Sequence, residues 1–151
     1  MKRSKLIKPT TARVVCRRLA GTNHAVLTVK GGNPFLQRNV PCAQCPWRVD
    51  AVGVFPAQAF KHSAPVAYDM ADSSFACHDS GSKRPAICAG FLLRNANNNL
   101  AVRLKVMRGE IDLSAISDHG LALFDDYRAM AVANGVDPDD PVLRACRGNS
   151  D

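Results

Sequence analysis

The chain has 151 residues, 46% hydrophobic and 22% charged, with nine prolines and ten glycines, which is the make-up of a globular domain and excludes a disordered or fibrous chain. Its longest apolar run, residues 86–93, is far short of the ~20 that a membrane-spanning helix needs, and the basic start at residues 1–10 has no apolar stretch behind it to act as a secretory signal. The net charge of +7 is unevenly spread: residues 1–48 hold ten Lys and Arg and no acid, so the front third is +10 and the remainder −3. Such asymmetry points to an acidic partner met by the front of the chain.

Residues 1–10 are expected to form a flexible basic N-terminus and residues 11–147 a single metal-binding α+β domain. In chain order, residues 11–19 mix β-branched residues with arginines and are read as a strand. Residues 24–29, the paired glycines Gly31 and Gly32, and residues 35–40 are read as a hairpin, because glycines permit the positive φ of a tight reversal. This hairpin is expected to run directly into a metal knuckle at Pro41-Cys42. Residues 55–70 form two short helices broken at Pro65, with Pro56 at the first helical position. Residues 75–78 are short and extended, and residues 79–84 are a polar loop.

From Pro85 the pattern turns helical, with Cys88, Phe91 and Leu92 on one side, until the asparagine run 95–99 interrupts it. Asn98 or Asn99 then caps a helix with a stripe of Leu100, Leu104 and Met107, ending at Gly109. A long helix is expected from Ser117-Asp118 to Asn134-Gly135, carrying Leu121, Phe124, Tyr127, Met130 and Ala131, and a last helical turn over residues 141–146. The fold class is therefore a small α+β domain, β in front and helices behind.

Four of the six cysteines form a set: the C-x2-C pair Cys42 and Cys45, then Cys77, then Cys88. A C-x2-C at the end of a hairpin turns tightly enough to aim two thiolates at one ion, and two further thiolates close a tetrahedron suited to zinc or to an iron–sulfur cluster. Zinc is the preferred reading. Cys88 falls in the expected first turn of a helix, where free amides and the macrodipole lower a thiol pKa, and Arg48, Lys83 and Arg84 offset the negative charge. His78 is the alternative fourth ligand, or a group that hydrogen-bonds a sulfur without ligating. Cys16 and Cys146 have no partners by spacing and are read as buried small hydrophobes.

No phosphate-loop, nucleophile-elbow, H-E-x-x-H or dinucleotide-binding signature is present. Pro41-Cys42-Ala43-Gln44-Cys45 has no His-x-Glu to make it a deaminase, since Glu110 is the sole glutamate. Catalysis is therefore a minority reading and no catalytic residue is assigned. For nucleic acid, Arg13, Arg17, Arg18, Lys30, Arg38 and Arg48 supply positive density and Trp47 a stacking group.

The blocks C-A-Q-C-P-W-R-V-D at residues 42–50, F-P-A-Q-A-F-K-H-S-A-P-V-A-Y-D at 55–69, F-A-C-H at 75–78 and C-A-G-F-L-L at 88–93 resemble an uncharacterised cysteine-motif family. That family is encoded by bacteriophages, prophages and some bacteria and is marked by CxxCP[WY]R, FxCH and CAG blocks. The resemblance implies a metal-binding phage-type protein, with Cys42, Cys45, Cys77 and Cys88 as motif cysteines and Arg48, Asp50 and His78 as their companions. The expected function is that of a cytoplasmic (host-cytoplasmic if phage-encoded), non-enzymatic zinc protein whose basic front contacts nucleic acid or a nucleic-acid-bound host protein. Two alternatives stand beside it. One is a regulator that binds a host protein through residues 121–130 or the surface around Trp47. The other is an iron–sulfur protein or metalloenzyme built on the same cysteines.

Overall fold

A computed structural model describes residues 11–148; the N-terminal segment expected to be flexible lies outside them. It shows a small α+β arrangement. An antiparallel hairpin of β1 (Arg13–Leu19) and β2 (Ala25–Lys30) is followed by four helices: α1 (Ala57–Ser63), α2 (Ala89–Asn95), α3 (Leu100–Met107) and α4 (Tyr127–Ala133). Among the described residues no helix is long and apolar enough to cross a membrane.

The hairpin is present, but its pairing differs from the expected one. Strand 13–19 pairs with strand 25–30 through a reversal at residues 20–24, where Ala20 donates to the His24 carbonyl (2.9 Å). Gly31 and Gly32 have positive φ but do not reverse a hairpin. At Gly32 a Cβ would stand 3.3 Å from the Ala12 side chain and 3.6 Å from Pro85, so these glycines seat the hairpin base against the loop at Pro85. The Ala12 amide fastens the same junction by donating to the Lys83 carbonyl (2.8 Å). Residues 35–40 then meet Ile87 instead of β2.

Residues 55–70 divide as expected at Pro65, into α1 and a 3-10 turn over Ala64–Ala67, although Pro56 is the residue before the helix. The expected helix over 117–134 is shorter than its apolar spacing suggests. Gly120 and His119 both have positive φ, residues 122–124 run extended beside Trp47 to Val49, and only residues 127–133 are α-helical. Asp126 sets the start, its Oδ1 accepting from the Ala129 amide (2.8 Å). The expected stripe on α3 is also corrected: Val102 is fully buried, whereas Met107 is 82% exposed.

Asn99 does cap α3, and it does more. Its Oδ1 accepts from the Val102 amide (3.0 Å), while its Nδ2 donates to the carbonyls of Val66 (3.2 Å) and Ser73 (2.7 Å). One buried side chain thus joins the helix start to two loops. Asn99→Ala is expected to lower unfolding free energy by about 2–4 kcal/mol in a urea titration, because a cap and two buried carbonyl partners are lost together. Asn99→Asp, which keeps the acceptor and loses both donors, should be no better than half as costly.

The core gathers Trp47, Phe60, Phe91, Val102, Tyr127, Met130 and Leu143. Tyr127 spans it, donating from its hydroxyl to the Phe60 carbonyl (2.7 Å). The C-terminal segment lies back on the body through the pairing of Tyr68 with Cys146 and the bond from Arg128 to the Cys146 carbonyl (2.7 Å).

Candidate metal centre

Ile87 is the organising residue. It bridges Gln37 in parallel on one side and Ala76 antiparallel on the other, making a minimal three-stranded patch from distant segments. The ladder is tight: Cys77 donates to the Ala86 carbonyl (2.7 Å), Cys88 to Phe75 (2.9 Å), and Arg38 to Ile87 (2.9 Å). Cys77 and Cys88 therefore sit on adjacent strands, one residue beyond the bridge on each.

The C-x2-C segment reaches the same place through its own turn. The Cys45 amide donates to the Cys42 carbonyl (3.1 Å) and the Arg48 amide to the Cys45 carbonyl (3.0 Å). The hairpin does not feed this turn directly, because residues 31–41 intervene.

One pair of sulfurs meets directly, with Cys45 Sγ 3.6 Å from Cys88 Sγ, and Cys42 lies near enough to Cys77 and Cys45 to feel their charge. His78 Nδ1 is 3.8 Å from Cys42 Sγ, on the side where Cys42 is half-buried; Cys45, Cys77 and Cys88 are buried. Among the described residues no group of three or more His, Cys, Asp or Glu side chains is placed so that it could hold a metal ion.

Peptide N–H groups are aimed at three of the sulfurs. Gln44 donates to Cys42, Trp47 and Gly90 to Cys45, and Phe91 to Cys88. Cys45 is accordingly held down to about 7, first by the hydrogen bond from Cys88 and then by these amides against the opposing effect of burial. The expected lowering at Cys88 is not found. Cys88 immediately precedes α2, and its thiol is pushed well up because it is the donor to Cys45 and is wholly enclosed. Cys42 is pushed up to about 12 by burial and by the negative charge of Cys77 and Cys45.

Arg48 braces the turn. Its guanidinium donates to the Cys42 carbonyl (3.2 Å) and grips Asp50 through two bonds of 2.7 Å, which holds the Asp50 carboxyl below the usual carboxylate range. The Arg48 charge also favours the Cys45 thiolate.

Trp47 is not a stacking platform for a base. It is fully buried, with ring centroids 5.9 Å from Tyr127, 6.2 Å from Phe75 and 6.4 Å from Phe91, and its Nε1 has no hydrogen-bond partner, so apolar packing alone fixes it. Trp47 itself is therefore not part of an exposed surface, and the helix expected over 121–130 begins only at Tyr127.

Residues 37–147 match the model of DUF6283, a family of unknown function. The chain belongs to this family. No curated protein and no solved structure matches it. The DUF6283 match includes all four cysteines of the set and leaves out the hairpin that holds Arg13, Arg17, Arg18 and Lys30, all exposed.

The other two cysteines stay apart from the set. Cys146 is buried elsewhere, its thiol facing the Ala64 carbonyl (3.7 Å), as expected of a small hydrophobe. Cys16 departs from that expectation, being half-buried on β1. The spacing of cysteines did not reveal Gly90. Its signal is the glycine of the C-A-G block, where a Cβ would stand 2.5 Å from Trp47 Cβ.

Proposed function

We propose that this DUF6283 chain is a non-enzymatic, phage-type cytoplasmic protein in which Cys42, Cys45, Cys77 and Cys88 hold one structural zinc ion. Its basic front contacts nucleic acid or a nucleic-acid machine. The observation that carries the metal reading is the meeting of the Cys45 and Cys88 sulfurs from separate segments, with Cys42 and Cys77 near enough to interact and backbone N–H groups directed at the sulfurs. Two thiolates on one tetrahedral zinc at about 2.3 Å each stand roughly 3.8 Å apart, and Cys45 and Cys88 already stand at 3.6 Å. Peptide donors and Arg48 offset the negative charge of a four-thiolate site, which burial alone would disfavour. His78, exposed beside Cys42, hydrogen-bonds that sulfur in this reading and does not ligate.

Elemental analysis of protein purified without air tests it. One zinc per chain and a colourless solution are expected. Iron with a visible charge-transfer band, or no bound metal, rejects zinc.

A further inference from the structure

The base of the basic hairpin is bonded to the loop that lines a cleft the metal reading does not use. On β1 and β2 the register places Arg13 directly opposite Lys30, and Arg18 lies on the same face of the ribbon. Like charges set opposite one another destabilise a ladder unless an anion lies between them. The Arg13–Lys30 end of the hairpin is the end tied to the Lys83 carbonyl, and Arg84 follows in the chain. Arg84 then lines a cleft of about 330 Å³ with Arg38, Gln37, Ser80 and Asp79.

The polar groups of that cleft differ in what they have left to offer. Gln37 is spent on Asn39 and on both backbone groups of Asp112, and Ser80 on the Cys77 carbonyl and the Ala86 amide. Arg38 and Arg84 are in no ion pair among the described residues, and Arg38 Nε is shut off from water with no hydrogen-bond partner there. Asp79 is the one acid on the lining, so the two guanidiniums leave it net positive. Beside this cleft in the chain stands Phe35, 62% exposed, the apolar ring that faces solvent where Trp47 does not.

We propose that the cleft and the hairpin base form a binding track for single-stranded nucleic acid: Arg38 and Arg84 take backbone phosphates, Arg13, Lys30 and Arg18 extend the track, and Phe35 stacks a base. This rests on the nucleic-acid reading above and narrows it. Within that reading, an exposed ring next in the chain to the cleft lining favours an unpaired base, whose face is open, over a duplex, whose base faces are stacked on one another.

The test is fluorescence anisotropy of the full-length metal-loaded protein with labelled oligo(dT), oligo(U) and a duplex of equal length, over a salt series. Tighter binding of single strands is expected, with affinity falling steeply as salt rises. Phe35→Ala should weaken single-strand binding roughly five- to a hundredfold with melt and metal content unchanged. Arg38→Gln and Arg84→Gln should each reduce the salt slope by about 0.7. Preference between oligo(dT) and oligo(U) tells whether DNA or RNA is the natural source. Binding that favours the duplex, or ignores Phe35→Ala, overturns the track while leaving nucleic-acid contact standing. No binding of any probe at low salt overturns both.

Discussion

Stripping the metal with a strong chelator is expected to replace a sharp thermal transition by a broad, shallow one. No α-helix among the described residues exceeds eight residues, and helices that short do not hold themselves in water. The walls around the cysteines are joined by isolated bridges at Ile87 and not by a continuous sheet. A structural zinc site contributes on the order of 10 kcal/mol to folding, comparable to the whole stability of an ordinary domain, about 5–15 kcal/mol. Cys45→Ala should reproduce the loss, and zinc added back should restore the wild-type melt but not the variant's. Because Cys45→Ala also strands the Trp47 and Gly90 amides, the control is Cys146→Ala. That thiol is as buried but stands apart from the set, so this variant should keep its metal and lose no more than about 3 kcal/mol. A chelated wild-type protein that melts as sharply as the loaded one, or a Cys45→Ala variant that retains zinc, rejects a structural role for the ion.

The cysteine set was legible because tight local spacing at Cys42 and Cys45 has few structural uses, and because Cys77 and Cys88 flank short extended segments. What the chain order does not reveal is how these segments come together. Ile87 selects both neighbours by backbone pairing, which leaves no side-chain periodicity to read. The hairpin was visible as strands and turns, yet its partners were misassigned: Gly31-Gly32 has the composition of a reversal, while the actual reversal at residues 20–24 has a single glycine. At residues 117–134 the expected spacing runs through Leu121 and Phe124, both half-buried around an extended stretch whose buried residue is Leu123, and then into a helix that buries Tyr127 and Met130. Two different elements filling one core mimic a single helical stripe. The local signal that separates them is the cap at Asp126. Trp47 and Phe35 show the same limit from the other side, since composition counts aromatic rings but only packing decides which of them faces water.

Gly90→Ala is expected to destabilise the protein by about 3 kcal/mol, although alanine ordinarily stabilises a helix relative to glycine by up to ~1 kcal/mol. The reversal follows from the close approach of α2 to Trp47. A Cβ at position 90 would lie 2.5 Å from Trp47 Cβ, 2.7 Å from Cγ and 3.0 Å from Cδ1. The indole has nowhere to go, with Phe75, Phe91 and Tyr127 on it and the Phe124 amide bonded to its own carbonyl (3.0 Å). Relief must therefore come from α2 shifting outward, which draws the Gly90 amide from Cys45 Sγ and Cys88 from its partner. Metal affinity should fall together with stability, in a residue that touches no ion. Trp47→Gly separates the causes: alone it costs several kcal/mol as a large core truncation, but it removes the Cβ, Cγ and Cδ1 that a side chain at position 90 would meet, so in its background the added Gly90→Ala should cost little. Urea denaturation of the wild type, both single variants and the double variant would then give a coupling free energy of about 1–3 kcal/mol. If Gly90→Ala proves neutral, or costs as much in the Trp47→Gly background as in the wild type, the steric origin of the glycine is refuted.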